Sequence, residues 1–456
     1  MTSMNPARRL TACLAACVLA LPAAAQVGEP ELSVWRDPDF RRQFALSYMA
    51  ETDIEPRPTA DERKLMEKVL ELISTERLDE ATALLAEERN EASGAVVDFT
   101  LANLHFQAER LDEAAVEYEA AVAKFPRFRR AWKNLGLIRV RQGEFAQAAP
   151  ALARVLELGG GDALTWGLLG YAWAAQEQHL SAETAYRMAC VLDPATLDWQ
   201  MGLARTLFKQ ERFADASALC GQLIARHPER TDLWLLQANA FLGLQRPLDA
   251  AENYEMVERL GGSTSDSLNM LGDIYVNEQL YDLAADCYVR AIDKRPEAGP
   301  ERALRAARVL VSRGSLVEVR RLLDHIESVL GPGLSDTQRK DLLKLRSRLA
   351  VAEGAGDEEA RVLEEIVALD PLDGDALILL GQHASRTGSP EKAVFWYERA
   401  ANLETHEADA KLAHAQLLVG QGKYAEALPL LRRSRDLKPG DAVAKYLEQV
   451  EKAAAR

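Results

Sequence analysis

Metal and acid–base chemistry has little to work with in this chain. Its seven histidines, His105, His179, His227, His325, His383, His406 and His414, are scattered, with no pair at i, i+4 and no H-E-x-x-H, so the helical zinc-protease arrangement is excluded. No serine sits in a G-x-S-x-G elbow, and the run Gly159-Gly160-Gly161-Asp162 follows a helical pattern where a phosphate loop needs a strand. Cysteine is scarce. Of five, Cys13 and Cys17 lie near the N-terminus, and Cys190, Cys220 and Cys287 have a spacing that suits no zinc site. They read as small buried hydrophobes, with a Cys190 to Cys220 bridge as the alternative. Positive charge is also in deficit: a formal charge of −15 argues against a general nucleic-acid binder. No catalytic residue, cofactor or metal is expected.

What the chain does have is a period. From Ala95 to Ala298 one pattern returns every 34 residues, six times. Small residues recur at Ala102, Gly136, Gly170, Ala204, Ala238 and Gly272, and again at Ala114, Ala148, Ala182, Ala216, Ala250 and Ala284. Between them runs a bulkier register, Tyr118, Leu152, Tyr186, Cys220, Tyr254 and Tyr288, and Pro126, Gly160, Pro194, Pro228, Gly262 and Pro296 close the units. Small residues let two antiparallel helices approach, the bulky ones fill the remaining space, and Pro or Gly ends the second helix. Each unit is therefore a helical hairpin. One hairpin cannot bury its apolar face alone, so the expected fold is all-α, an α-α superhelical solenoid of about ten to eleven hairpins with a capping helix.

The residues Trp166, Leu169, Gly170, Trp173, Ala182, Tyr186, Ala189 and Pro194 resemble the tetratricopeptide repeat signature, as do Leu268, Leu271, Gly272, Tyr275, Ala284, Tyr288, Ala291 and Pro296. The resemblance covers about four fifths of the chain and implies a protein-binding solenoid with its groove on the first helix of each repeat. It places at the groove Phe99, Asn103, Phe106, Arg130, Lys133, Leu137, Tyr171, Met201, Arg205, Phe208, Leu235, Asn239, Asn269 and Asp273. Such a mixed lining suits an extended peptide or a helix held by a few anchors. Chaperone-type carboxylate clamps use Lys and Asn at fixed slots; Phe99, Leu164 and Leu168 stand where such partners belong, which speaks against that mode. Lys124, Arg127, Arg129, Arg130, Lys133, Arg139 and Arg141 fall within eighteen acid-free residues. They read either as a solvated turn or as a patch steering an acidic partner.

Residues 1–25 read as a secretory signal peptide: Arg8 and Arg9, an apolar run from Leu10 to Leu21, and Ala23-Ala24-Ala25 before Gln26. A competing detail, Leu14-Ala15-Ala16-Cys17, resembles a bacterial lipobox and would make Cys17 a lipid anchor. Residues 26–60 lack the period. Asp37 can cap a helix beginning at Pro38, and Phe40, Phe44 and Tyr48 would share one face of it. This segment reads as an N-terminal cap or a docking segment. Trp35-Arg36-Asp37-Pro38-Asp39-Phe40 with Ile54-Glu55-Pro56-Arg57-Pro58-Thr59 is similar to the leader of exported repeat proteins that accompany TonB–ExbB–ExbD energy-transduction systems. The regular array then spans 61–298, an irregular repeat or hinge 299–340, where extra residues lengthen a loop or the helices, and further repeats with the capping helix 341–456. The expectation is a periplasmic, non-catalytic scaffold whose partner is an envelope protein, including a TonB/ExbB-type component; the alternative is a lipid-anchored assembly factor for outer-membrane proteins, pili or polysaccharide.

Overall fold

In a computed structural model, residues 55–455 are described; the leader, the lipobox and the aromatic stripe at Phe40, Phe44 and Tyr48 lie outside them. The described residues form 23 α-helices and two single 3-10 turns, with no β-strand among them. Contacts group the chain into two compact units, Met1–Leu260 and Gly261–Arg456.

The first unit opens with α1 (Ala60–Ser74) and α2 (Leu78–Glu88). Thr59 and Glu62 form the capping box that starts α1. Val69, Ala81 and Leu85 are buried against Val97, Leu101 and Leu104 of the next helix, so the degenerate opening repeat packs as a true hairpin. Five regular hairpins follow: α3 (Ala95–Gln107) with α4 (Leu111–Lys124), α5 (Arg129–Arg141) with α6 (Phe145–Glu157), α7 (Ala163–Ala175) with α8 (His179–Leu192), α9 (Leu197–Lys209) with α10 (Phe213–Ile224), and α11 (Thr231–Gly243) with α12 (Pro247–Arg259). The second unit contains the sixth, α13 (Ser265–Asn277) with α14 (Tyr281–Lys294).

The two small-residue registers do what their spacing requires. Ala114, Ala148, Ala182, Ala216, Ala250 and Ala284 are all 0% exposed. In the other register the small residue makes room for the bulky one sixteen positions later: a Cβ on Gly136 would lie 2.7 Å from Leu152 Cγ, and one on Gly272 2.9 Å from Tyr288 Cζ. Turns are closed by side chains reaching back six residues. Trp132 Nε1 donates to the Pro126 carbonyl at 3.0 Å, Trp234 Nε1 to Pro228 at 2.8 Å, and Gln200 Nε2 to Pro194 at 2.6 Å. Between the two helices of a hairpin the chain passes through one left-handed residue: Glu109, Gly143, Glu177, Glu211, Gln245 and Gln279 all have φ between 58° and 77°. That register carries no consistent glycine.

In the second unit, α15 (Glu301–Arg313), α16 (Leu316–Leu330) and α17 (Asp336–Glu353) take up the irregular stretch. Its extra residues lengthen helices, with 15 in α16 and 18 in α17, around the Gly331–Gly333 turn. Then come α18 (Gly356–Leu369), α19 (Gly374–Arg386), α20 (Pro390–Ala401), α21 (Glu407–Gly420), α22 (Tyr424–Leu437) and α23 (Asp441–Ala454). Leu447 and Val450 of α23 cover Ala415, Leu418, Ala427 and Leu431, so α23 closes the core of that unit while its other face stays wet. Among the described residues no helix is long and apolar enough to cross a membrane.

Candidate partner-binding groove

The first helices of consecutive repeats touch along the first unit, α5 on α7, α7 on α9 and α9 on α11, and together build its inner face. The ten candidate residues sit on these helices and on α3, the first helix of the repeat before α5, in three different environments.

Four of them belong to the interior. Phe99 is 2% exposed, its ring 4.6 Å from Phe128 and 5.7 Å, edge-on, from Tyr118. Phe106 and Met201 are also buried, Met201 among Leu223, Ile224 and Leu233. Asn103 is buried as well; its Oδ1 accepts from the Tyr118 hydroxyl and from Asn134 Nδ2, at 3.2 Å in the latter case. These four are corrections to a lining read from repeat position alone. The cause is Phe128, a residue of the interrepeat turn that folds over Phe99, and the tyrosine register, which reaches across the hairpin to the polar groove slot.

That tyrosine contact recurs. Tyr254 donates to Asn239 Oδ1 at 2.7 Å, and in the second unit Tyr288 donates to Asp273 Oδ1. Asn239 is half-buried.

The cations are largely neutralised. Arg130 donates to Glu55, Lys133 to Asp162, Lys124 lies 2.8 Å from Asp98, Arg139 pairs with Glu119 and Glu144, and Arg141 is 2.6 Å from Glu109. The acid-free stretch is therefore not a bare positive patch; three of these six partners, Asp98, Asp162 and Glu109, arrive from about one repeat away. Asp162 also caps α7 by accepting from Thr165 N at 2.9 Å. Burial pushes the Asp162 carboxyl up, but Lys133 and Thr165 outweigh it and hold the group below its usual range.

Tyr171, Arg205 and Phe208 form the open part of the face. Tyr171 is half-buried, edge-on to Phe145 with centroids 5.6 Å apart, and Phe208 stands similarly against Phe213 at 5.3 Å. Arg205 is the under-compensated member. Its nearest carboxylate oxygen, Asp232 Oδ2, is 3.8 Å away, and Asp232 is already held at 3.0 and 2.8 Å by both arms of Arg230. Burial lowers the Arg205 pKa, which Asp232 and the Tyr186 hydroxyl partly offset. Tyr186 packs over Gly202, one turn before Arg205. Among the described residues Cys190, Cys220 and Cys287 form no disulfide: Cys220 and Cys287 are buried, Cys190 half-buried, and burial pushes Cys190 up to about 11 and Cys220 up to about 12.

A tetratricopeptide repeat model matches residues 99–163, 135–195, 201–264 and 346–411, and a second model of the same description matches 265–297. The model for anaphase-promoting complex, cyclosome, subunit 3 matches 387–448. Similar solved structures include a tetratricopeptide repeat protein from Parabacteroides merdae, at 16% identity over 51% of this chain and 93% of that one, TM-score 0.37. The C-terminal part of a repeat-containing protein from Cytophaga hutchinsonii matches at 12% identity over 62% and 99%, TM-score 0.41. MamA from Desulfovibrio magneticus matches at 17% over 37% and 95%, TM-score 0.35. These are likenesses of the helical-hairpin fold alone. No curated protein matches the chain. Hairpins of 34 residues, filled small-residue slots and family models covering more than half of the length lead to one conclusion: the chain belongs to the tetratricopeptide repeat family, whose arrays are typically non-catalytic scaffolds for protein–protein interaction.

Proposed function

We propose that this protein is an exported scaffold of the bacterial cell envelope that holds a protein partner against the inner face of its first unit, around Tyr171, Arg205, Phe208 and Asn239. The observation that carries the reading is Arg205. A guanidinium that is 29% exposed, desolvated, and 3.8 Å from a carboxylate already held by Arg230 has donors left over. A partner carboxylate or carbonyl beside two half-open aromatic rings would satisfy them. Export rests on the leader at residues 1–25, and the choice of partner on Trp35 to Phe40 and Ile54 to Thr59, which point to a TonB–ExbB–ExbD system. The lipobox-like Leu14 to Cys17 favours a second reading, a lipid-anchored assembly factor for outer-membrane proteins, pili or polysaccharide.

Mass analysis of the mature N-terminus separates the two: Gln26 as first residue supports the soluble scaffold, a diacylated Cys17 the tethered one. Purified periplasmic domains of the organism's TonB and ExbD, titrated against the parent and Arg205→Ala, test the partner. Binding weakened about tenfold by the substitution is expected. If neither domain binds the parent, the TonB reading fails.

A further inference from the structure

Glu55, the first described residue, is bound inside the first unit. It is 75 residues from Arg130 in sequence and only 6% exposed, and its carboxylate accepts from Arg130 Nε. The guanidinium of Arg130 lies over two rings, its carbon 5.4 Å from the centroid of Phe99 and 5.9 Å from that of Phe128. Its Nη1 is buried and has no hydrogen-bond partner. Here Arg130 sits over two rings that are themselves buried, with one acid bound and one donor unpaired.

The connection from this pocket to α1 is short and stiff. Pro56 and Pro58 fix φ at two of the three residues between Glu55 and Thr59. Thr59 is held by its capping box, and Glu62 of that box also accepts from Gly94 N at 2.6 Å, at the start of α3. Glu55 is thus fixed from both sides on the inner face.

We propose that the inner face of the first two regular repeats, beside the partner face on α7, α9 and α11, is the docking surface for the chain's own segment 26–54, so that a partner extending onto α3 and α5 must displace it. The proposal rests on the groove reading above and adds what occupies the face beside that site. The chemistry is complementary. Segment 26–54 carries six acids, Glu29, Glu31, Asp37, Asp39, Glu51 and Asp53, against three bases, and four aromatic residues in Trp35, Phe40, Phe44 and Tyr48. The face offers Arg130, whose buried Nη1 has no hydrogen-bond partner, while Lys133, Arg139 and Arg141 of α5 are already paired with Asp162, Glu119, Glu144 and Glu109. Reach is no constraint: 29 residues span up to about 100 Å when extended, several times the roughly 20 Å length of a 13-residue helix. Attached at Glu55, the segment also has an effective concentration on the order of millimolar. Even weak contacts then keep it in place against a dilute competitor.

The test uses the full-length mature protein and chymotrypsin, which cuts after Phe40, Phe44 and Tyr48. The parent should be cut slowly there, and Arg130→Glu should raise the rate about tenfold, the effect of losing one partly buried charge-assisted hydrogen bond. Glu55→Lys should do the same from the other side of the pair. The charge swap, Glu55→Arg with Arg130→Glu, should return cleavage to within about threefold of the parent, a rescue that general unfolding cannot produce. In parallel, a fluorescein-labelled peptide of residues 26–58 should bind a full-length variant in which Trp35, Phe40, Phe44 and Tyr48 are serine, and bind the parent at least tenfold more weakly. Equal cleavage in the parent and both single variants overturns the proposal, as does a peptide that binds both proteins alike or neither. The groove reading fails separately: it falls if Arg205→Ala leaves partner binding unchanged, whatever the peptide does.

Discussion

Replacing Glu211 with glycine should stabilise the fourth repeat, although it removes a side chain from a helical protein. Glu211 is exposed, sits between α9 and α10 with φ 60°, and donates its backbone N–H to Phe208 at 2.9 Å. Left-handed backbone costs an L-residue roughly 1–2 kcal/mol, a cost glycine lacks. Against this, glycine loses about 0.5–1 kcal/mol of extra chain entropy on folding. The difference favours Glu211→Gly by about 0.5–1 kcal/mol. Because repeat arrays melt through neighbouring units and not in one step, the readout is native-state hydrogen exchange of α9 and α10. Their amides should exchange about two- to fivefold more slowly. Ala218→Gly, seven residues further on in the middle of α10 and also exposed, is the control; it should cost about 1 kcal/mol. If both glycines slow or both speed exchange, the positive φ at this register is not a source of strain and the reasoning fails.

Three further outcomes follow from the packing. Gly381→Ala places a Cβ 2.4 Å from Tyr397 Cε1 and should destabilise the second unit by about 1–3 kcal/mol in denaturant titration. Asp162→Ala removes the α7 cap and the Lys133 partner, at a cost of about 1 kcal/mol at neutral pH. Since the folded pKa of Asp162 is lowered, the parent's advantage is present above the ordinary carboxylate range and should vanish as the pH falls from about 5 to about 2. Iodoacetamide at pH 8 should modify half-buried Cys190 first, leaving Cys220 and Cys287 untouched until the array unfolds, as peptide mapping would show.

The period made the helical hairpins legible, because close packing needs a small residue opposite a large one and Gly136 with Leu152 or Gly272 with Tyr288 declares that need in sequence. The turn between hairpin helices was silent. A left-handed residue is normally announced by glycine, and here Glu109, Glu177, Glu211, Gln245 and Gln279 hold that conformation because both flanking helices dictate it. The groove was legible only in part. Repeat position put Phe99, Asn103, Phe106 and Met201 on the correct helices, but whether a slot opens outward depends on neighbours such as Phe128 and Tyr118, which no local spacing reports. Charge misled for the same reason: besides Glu119 and Glu144 just beyond its ends, the acid-free run from Lys124 to Arg141 has its acids at Glu55, Asp98, Glu109 and Asp162, far from it in sequence. Arg205 was visible as a cation; that it lacks a close partner was not.

The central claim is that a partner lies on the inner face of the first unit. A photo-crosslinking amino acid placed at Phe208, on that face, and separately at Leu180, 76% exposed on the second helix of the preceding hairpin, tests it in living cells. The account predicts an adduct with an envelope protein from position 208 and none from 180. An adduct from 180 with none from 208 would place the partner on the outer helices and contradict the account.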